Sequence, residues 1–497
     1  MVFTSGCEWV ALASVGSSGD QGNGDSEYAW LSSNGRYLGF DSISNNLVPG
    51  DTNPKSDVFL RDLKKGVTVL VSVSTDGTQG NNGSYDASLS ENGRFVAFLS
   101  RATNLVANDT NNQLDIFVRD RKSRTTTRVS VSSDGTEGNA SCFSPTISAD
   151  GRYVAFESDS DNLVAGDTNN RRDVFVHDRN TGVTTRVSVD SAGGQAMGNS
   201  DRPYISANGR YVAFSSSGMN LLPDDSLASG IFVHDRFTGA TTLVSISSEY
   251  PAISADGRYV TFSSYASNLV EGDTNNSDDI FVHDRSTGKT TRASVNSAGI
   301  QGDRSSIRSM ISGDGRYVTF ASWATNLVTS DTNDSMDIFI HDTNTGNTRR
   351  ASLGALGTQA NDKSDDYHAI SANGRYVAFA SSATNLVPDD VNNAVDIFVR
   401  AVPHLTIDSV TPKMLPAGAT TQIVVRGSDF LPGTQLKVDD AVVSDLILWS
   451  ENVISANVTV SANHPSGAGD VEVVLAGTGA GPGTGSLGLC GACVTFF

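Results

Sequence analysis

Six segments of this 497-residue chain carry carboxylates and an amide at one spacing, Asp-x-Asn-x3-Asp. They are Asp51/Asn53/Asp57, Asp109/Asn111/Asp115, Asp167/Asn169/Asp173, Asp273/Asn275/Asp279, Asp331/Asn333/Asp337 and Asp390/Asn392/Asp396. Oxygen-bearing side chains at alternate positions of a tight loop suit Ca2+, which takes about six to eight hard oxygens at ~2.3–2.6 Å. Three side chains are too few, so backbone carbonyls and water would complete the shell. A metal-free reading competes: Asp and Asn also bond their own backbone two residues on and hold a loop with no ion. The pattern is not an EF-hand, lacking its glycine and its distal glutamate. The cofactor expectation is therefore Ca2+, up to six ions, and otherwise none. A seventh copy, Pro223 to Gly230, breaks the pattern.

A second repeated pair is Arg61-Asp62, Arg119-Asp120, His177-Asp178, His234-Asp235, His283-Asp284 and His341-Asp342, with Arg400 lacking its Asp. A single His-Asp pair would suggest general-base chemistry. A pair present in nearly every copy, with Arg replacing His, reads instead as hydrogen bonding between repeats, since buried polar groups need partners. No G-x-S-x-G, H-E-x-x-H or phosphate loop occurs, so no catalytic residue is assigned. Of the four cysteines, Cys490 and Cys493 lie in a Gly-rich stretch that reads as a zinc half-site or a local disulfide. Cys7 and Cys142 fall at opposite faces of the expected fold, where head-to-tail stacking of chains would bring them together.

These residues sit on a repeat. The phrase S-x-[ND]-G-R-[YF]-[VL] recurs seven times, with its turn residue at Asn34, Asn92, Asp150, Asn208, Asp256, Asp314 and Asn373. A near-constant period marks a repeat architecture. Each unit reads as four short strands; in the second they are Asp86–Ser90, Phe95–Leu99, Asp115–Arg119 and Thr126–Ser132. The Asn-Gly or Asp-Gly pair between the first two is the strongest short hairpin signal. Units of four antiparallel strands read as propeller blades. The last unit lacks a fourth strand and the N-terminus supplies an orphan, Val10–Val15, so together they complete a seventh blade and remove the exposed sheet edges. The repeats resemble the TolB-like, WD40-like (PD40) β-propeller repeats, on the D-G-R-Y-V-A-F and D-I-F-V-H-D phrases. From Leu405 the blade phrase stops, and Ile407 to Pro412, Pro416-Ala417-Gly418 and Val494 to Phe497 resemble an IPT/TIG domain. The expected fold is all-β: a seven-bladed propeller over 1–402, closed by the N-terminal strand, and an immunoglobulin-like β-sandwich over 403–497.

In such a ring the short turns share one face and the long loops the other, where function gathers. The first strand of each blade lies nearest the axis. Its second and fourth positions vary among copies, and positions of one parity share a strand face. Tyr28, Trp30, Arg202, Tyr204, Tyr250, Arg308 and Tyr367, with His368 added in blade seven, are expected to line a central funnel suited to a sugar or an anionic ligand.

The formal charge of −20 argues against nucleic-acid partners. No apolar run reaches the ~18 residues of a membrane span, and Met1 to Val10 lacks the pattern of a signal peptide. The expected role is an extracellular or cell-surface binding or assembly scaffold, non-enzymatic, recognising a glycan, a protein or itself through the loop face. Alternatives are a structural subunit of a surface polymer and a carbohydrate-active or lactone-cleaving enzyme using the funnel.

Overall fold

Each copy of the repeat forms one four-stranded antiparallel sheet, and there are seven. The description rests on a computed structural model covering residues 9–222, 229–354, 357–402, 406–428, 434–439, 441–450, 452–475 and 487–496. In the first blade the strands are Ser26–Leu31, Tyr37–Ser42, Asp57–Asp62 and Val67–Leu70. The hairpin phrase works through its side chains. In the third blade Asp150 Oδ1 accepts the Arg152 N–H (2.9 Å) and the Ser148 hydroxyl accepts the Tyr153 N–H (2.9 Å). Gly151 has φ +75°, and a Cβ there would lie 2.1 Å from the Phe95 ring of the preceding blade. Only glycine meets both demands.

A phenylalanine on the second strand stacks on one on the third in every blade, as Phe40 on Phe59 at 5.8 Å and Phe379 on Phe398 at 5.9 Å. The Arg after the turn glycine clamps the Asp that ends the third strand of its own blade, at 2.7 Å in six blades from Arg36–Asp62 to Arg316–Asp342. The expected contact between repeats runs instead through the neighbouring residue. His177 Nδ1 meets the Thr184 hydroxyl (2.9 Å), which donates to Val131 O of the preceding blade (2.5 Å). Burial lowers the His177 and His341 pKa values to about 4, so both rings are neutral at pH 7.

Val10–Leu12 pairs with Asp396–Ala401, joining the first and last repeats in the seventh sheet. The hairpin turns close a second ring around the axis. Ser33 N–H donates to Glu91 O (3.2 Å), Glu91 to Ala149 (2.9 Å), Ala149 to Ala207 (2.9 Å), Ala207 to Ala255 (3.1 Å), Ala255 to Gly313 (3.0 Å) and Gly313 to Ala372 (2.8 Å). Asn373 N–H then returns to Ser33 O (3.0 Å). The shorter fourth repeat has its own cause. Its fourth strand, Ala240–Ile246, leads almost directly into Ser248–Ile253, so it lacks the short Val-to-Gln (or equivalent) bridge seen in the other six links, such as Val15↔Gln21 and Val73↔Gln79.

The first strand of each blade starts earlier than its alternation implies, at Ser84 in the second blade, and contains a bulge. The contacts divide the chain into two compact units, one over Val10–Leu327 and Asp331–Arg400 and the other centred on 401–497. The second is a sandwich of two four-stranded sheets. Its core includes Val410, Ile423, Val425, Ile454, Val471, Val494 and Phe496. Cys493 is disulfide-bonded. No helix among the described residues is long and apolar enough to cross a membrane.

Candidate functional site

The innermost strands converge on a cavity of about 510 Å3 that receives all eight residues expected to line the funnel. The route is not simple alternation. Glu27 faces Asp41 and Trp30 faces Gly39, so Tyr28 and Ala29 together oppose one residue: a β-bulge. At the bulge Tyr28, Asp86, Ser144, Arg202, Tyr250 and Arg308 all take left-handed φ, between 46° and 55°. Non-glycine residues there are strained. A side chain from the preceding blade caps some of the bulge N–H groups: Asp41 receives Asp86 N–H (3.4 Å), Glu157 receives Arg202 N–H (2.5 Å) and Ser263 receives Arg308 N–H (3.1 Å).

Five of the bulge positions form one continuous wall. Arg202 lies 3.9 Å from the Tyr250 ring, and Arg308 stands between Tyr250 (4.8 Å) and Tyr367 (4.2 Å). Tyr367 in turn packs on Tyr28 at 3.8 Å, their hydroxyls 2.8 Å apart. Alternating tyrosine and guanidinium faces hold one another by cation–π attraction. Deeper in, Trp30 stacks on Tyr204 across the axis at 5.6 Å, with Met310 and His368 beside them in the lining.

The opposite wall carries Asp86, at the same variable position as Tyr28, and groups the alternation missed: Tyr85, Phe143, Glu157 and Arg172. Burial raises the Asp86 pKa to about 6, against the pull of Arg308. Burial likewise raises Glu157 to about 7, against the Arg202 N–H and Arg172. Asp41 is held well above the usual carboxylate range by burial and by the charge of Asp86. A signal for two of these existed in the repeat. Asp41 and Glu157 occupy the fifth position of the second strand, where other blades have Leu99, Ser215, Ser263, Ala321 and Ala380.

The six Asp/Asn loops lie apart from the funnel lining, and each is wired internally. Asn111 Oδ1 accepts the Gln113 N–H (2.8 Å), an Asx turn, while its amide donates to Asp115 (3.0 Å) and Gly138 O (2.9 Å). Asn53, Asn169, Asn275, Asn333 and Asn392 likewise accept the N–H two residues on. In four blades an arginine closing the fourth strand reaches both carboxylates. Arg128 lies 3.6 Å from Asp109 and 3.5 Å from Asp115, and Arg186 lies 3.1 Å from Asp167 and 3.3 Å from Asp173. Arg292 lies 3.8 Å from Asp273 and 3.3 Å from Asp279, and Arg350 lies 3.3 Å from Asp331 and 3.1 Å from Asp337.

Where that position is leucine, an amide substitutes. Gln79 donates to Asp51 (2.6 Å) and Asp57 (2.7 Å), and Gln21 to Asp390 and Asp396 (2.8 Å each). Blade four has Leu243 at the arginine position and Gly230 at the second Asp, so both halves are missing together. The residues as arranged do not fit Ca2+: the Asn oxygen serves the backbone and protein donors approach the carboxylates. Among the described residues no cluster of three or more His, Cys, Asp or Glu could hold a metal. Cys142 is fully buried and bonds the Ser158 hydroxyl (3.2 Å), which removes it from a cross-link between chains; Cys7 lies outside the described residues.

Residues 405–488 match the IPT/TIG domain family. The IPT/TIG domain thus accounts for the sandwich that follows the propeller. A search of curated proteins finds no match. Among solved structures the chain is similar to TolB from Acinetobacter baumannii, at 16% identity and TM-score 0.36 over 70% of this chain and 76% of that one. It is also similar to the β-propeller domain of the Trilobed protease from Pyrococcus furiosus, at 12% and 0.43 over 75% and 96%. Acylaminoacyl peptidase from Pyrococcus horikoshii compares at 12% and 0.43, with 80% of this chain covering 58% of that one. Likeness at this level concerns architecture and says nothing of a ligand.

Proposed function

We propose that the protein is a non-enzymatic binding scaffold that takes a glycan into the funnel from the loop face, in an extracellular or cell-surface setting. The observation that carries this reading is the loss of sevenfold symmetry at the bulge. Every first strand is bulged, six with the same left-handed residue, yet the side chains run Tyr, Asp, Ser, Arg, Tyr, Arg, Tyr around the axis. A purely structural position would repeat its side chain, as the turn glycine and the stacked phenylalanines do. Aromatic faces suit the C–H faces of a pyranose. The tyrosine hydroxyls, guanidinium groups and carboxyls around them match its hydroxyls as donors and acceptors. The IPT/TIG domain adds a module without assigned chemistry and fits a scaffold.

A glycan array followed by calorimetry on the strongest hit tests this. Tyr250→Ala and Arg308→Ala should each weaken binding about tenfold or more, roughly 1.4 kcal/mol. Retention of wild-type affinity by both would reject the funnel as the site.

One observation favours a hydrolytic reading: Asp86 and Glu157 are lining carboxyls whose ionisation is pushed up, a feature of acid–base sites. Chromatography of the bound glycan after incubation separates the two. Intact glycan supports binding alone, and cleavage products support the enzyme.

A further inference from the structure

We infer that the funnel receives the end of a glycan chain and not an internal stretch of one. This rests on the glycan reading above and follows from how the channel is blocked. Each first strand starts at the loop face and ends at its hairpin turn, so the bulge residues lie near the loop-face mouth and Trp30 and Tyr204 lie deeper. The stacked Trp30 and Tyr204 rings, 5.6 Å apart and from opposite sides of the axis, floor the cavity. Below them only about 100 Å3 remains, lined largely by small and aliphatic side chains.

The hairpin turns frame the far end with a ring of seven backbone hydrogen bonds. That ring leaves little slack. A Cβ on Gly313 would meet Ala372 at 3.1 Å and Ala255 at 3.4 Å. With Trp30 and Tyr204 stacked across it, the axis gives a chain no path through. The cavity of about 510 Å3 has the size of a pocket for a small ligand, enough for about two sugar rings. The walls surround the ligand: Tyr28, Tyr367, Arg308 and Tyr250 on one side and Phe143 and Glu157 on the other. A strand of polysaccharide lying across the mouth would leave the deeper Trp30, Tyr204, Met310 and His368 unused, whereas a terminal unit entering the mouth would pass between both walls and reach them.

The test is a glycan array in which each terminal monosaccharide also appears capped by one further sugar, with calorimetry of the best uncapped ligand at increasing length. Capping should weaken binding at least tenfold, and affinity should stop rising beyond two or three units. Arg308→Lys keeps the charge but loses the planar stack between two tyrosines; it should cost several-fold in affinity with an unchanged melting temperature. Equal binding of capped and uncapped ligands, or affinity that keeps rising with length, overturns chain-end recognition while leaving the glycan reading intact. No binding to any glycan overturns both.

Discussion

At the scale of single residues, Arg186 does what the spacing of Asp167 and Asp173 suggested an ion would do. Two nearly fully buried carboxylates repel unless something positive stands between them, and a guanidinium 3.1 and 3.3 Å away supplies the charge. Asp167 accepts no well-aligned hydrogen bond, so charge is what holds it. Removing one partner of a buried pair leaves the other uncompensated, which costs about 3–5 kcal/mol. Arg186→Leu should therefore lower the melting temperature sharply, and Asp167→Asn on that background should restore part of the loss. The wild-type melting temperature should not move when calcium is added or chelated, because an ion bound only to the folded state would raise it. A rise with calcium, accompanied by several bound ions per chain in elemental analysis, would contradict the arginine clasp.

The element that matters most is the bulged innermost strand. In six blades its left-handed residue turns a side chain toward the axis, and it does so at Ser144 as much as at Tyr28 or Arg308. Left-handed φ costs a non-glycine residue about 1 kcal/mol or more, partly offset in glycine by the greater entropy it loses on folding. Ser144 contributes little packing, so Ser144→Gly should keep or raise stability, by up to about 1 kcal/mol, in chemical denaturation. Ser144→Val should lower it by more, since a β-branched residue tolerates that φ least. If valine proves as stable as glycine, the bulge is not under the strain its dihedral implies. The same element explains why a strict two-residue period names residues that share one cavity although the strand does not alternate strictly. The extra residue shifts the parity, and the bulge turns Tyr28 back to the cavity that also holds Trp30.

At the scale of the whole molecule, closure joins residues almost 400 positions apart. Val10 pairs with Arg400, Ala13 N–H donates to Ile397 O (2.7 Å) and Gln21 holds both Asp390 and Asp396. A chain beginning at Gly24 would lose the outer strand of the seventh blade and expose the edge of Asp396–Ala401. An unpaired edge templates pairing with other chains. Size-exclusion chromatography should show that variant as oligomer or aggregate, with a lower melting temperature than the full chain. An unchanged monomer of unchanged stability would mean that the other inter-blade contacts close the ring without the strand.

Much of the architecture is local and therefore readable from the residues alone. The Ser-x-Asp-Gly-Arg turn around Gly151 is made by side chains within five positions of one another, so its seven copies announce seven hairpins. The orphan Val10–Val15 could be matched to Arg128–Val131 because both precede the same Ser/Gly-rich link. The clasps and the second wall depend on register. Arg128 reaches Asp109 and Asp115 only because it stands opposite Phe117 across two strands, and Leu70 in the same place leaves the task to Gln79. Nor could spacing alone show that Trp30 and Tyr204, from blades one and four, meet on the axis and turn a channel into a pocket. The sequence by itself determined the blades, their number and where the chain closes, because turn chemistry and period are properties of short segments. Only the tertiary structure decided which charges neutralise the loops and which side chains meet on the axis, because both depend on contacts between strands far apart in the chain.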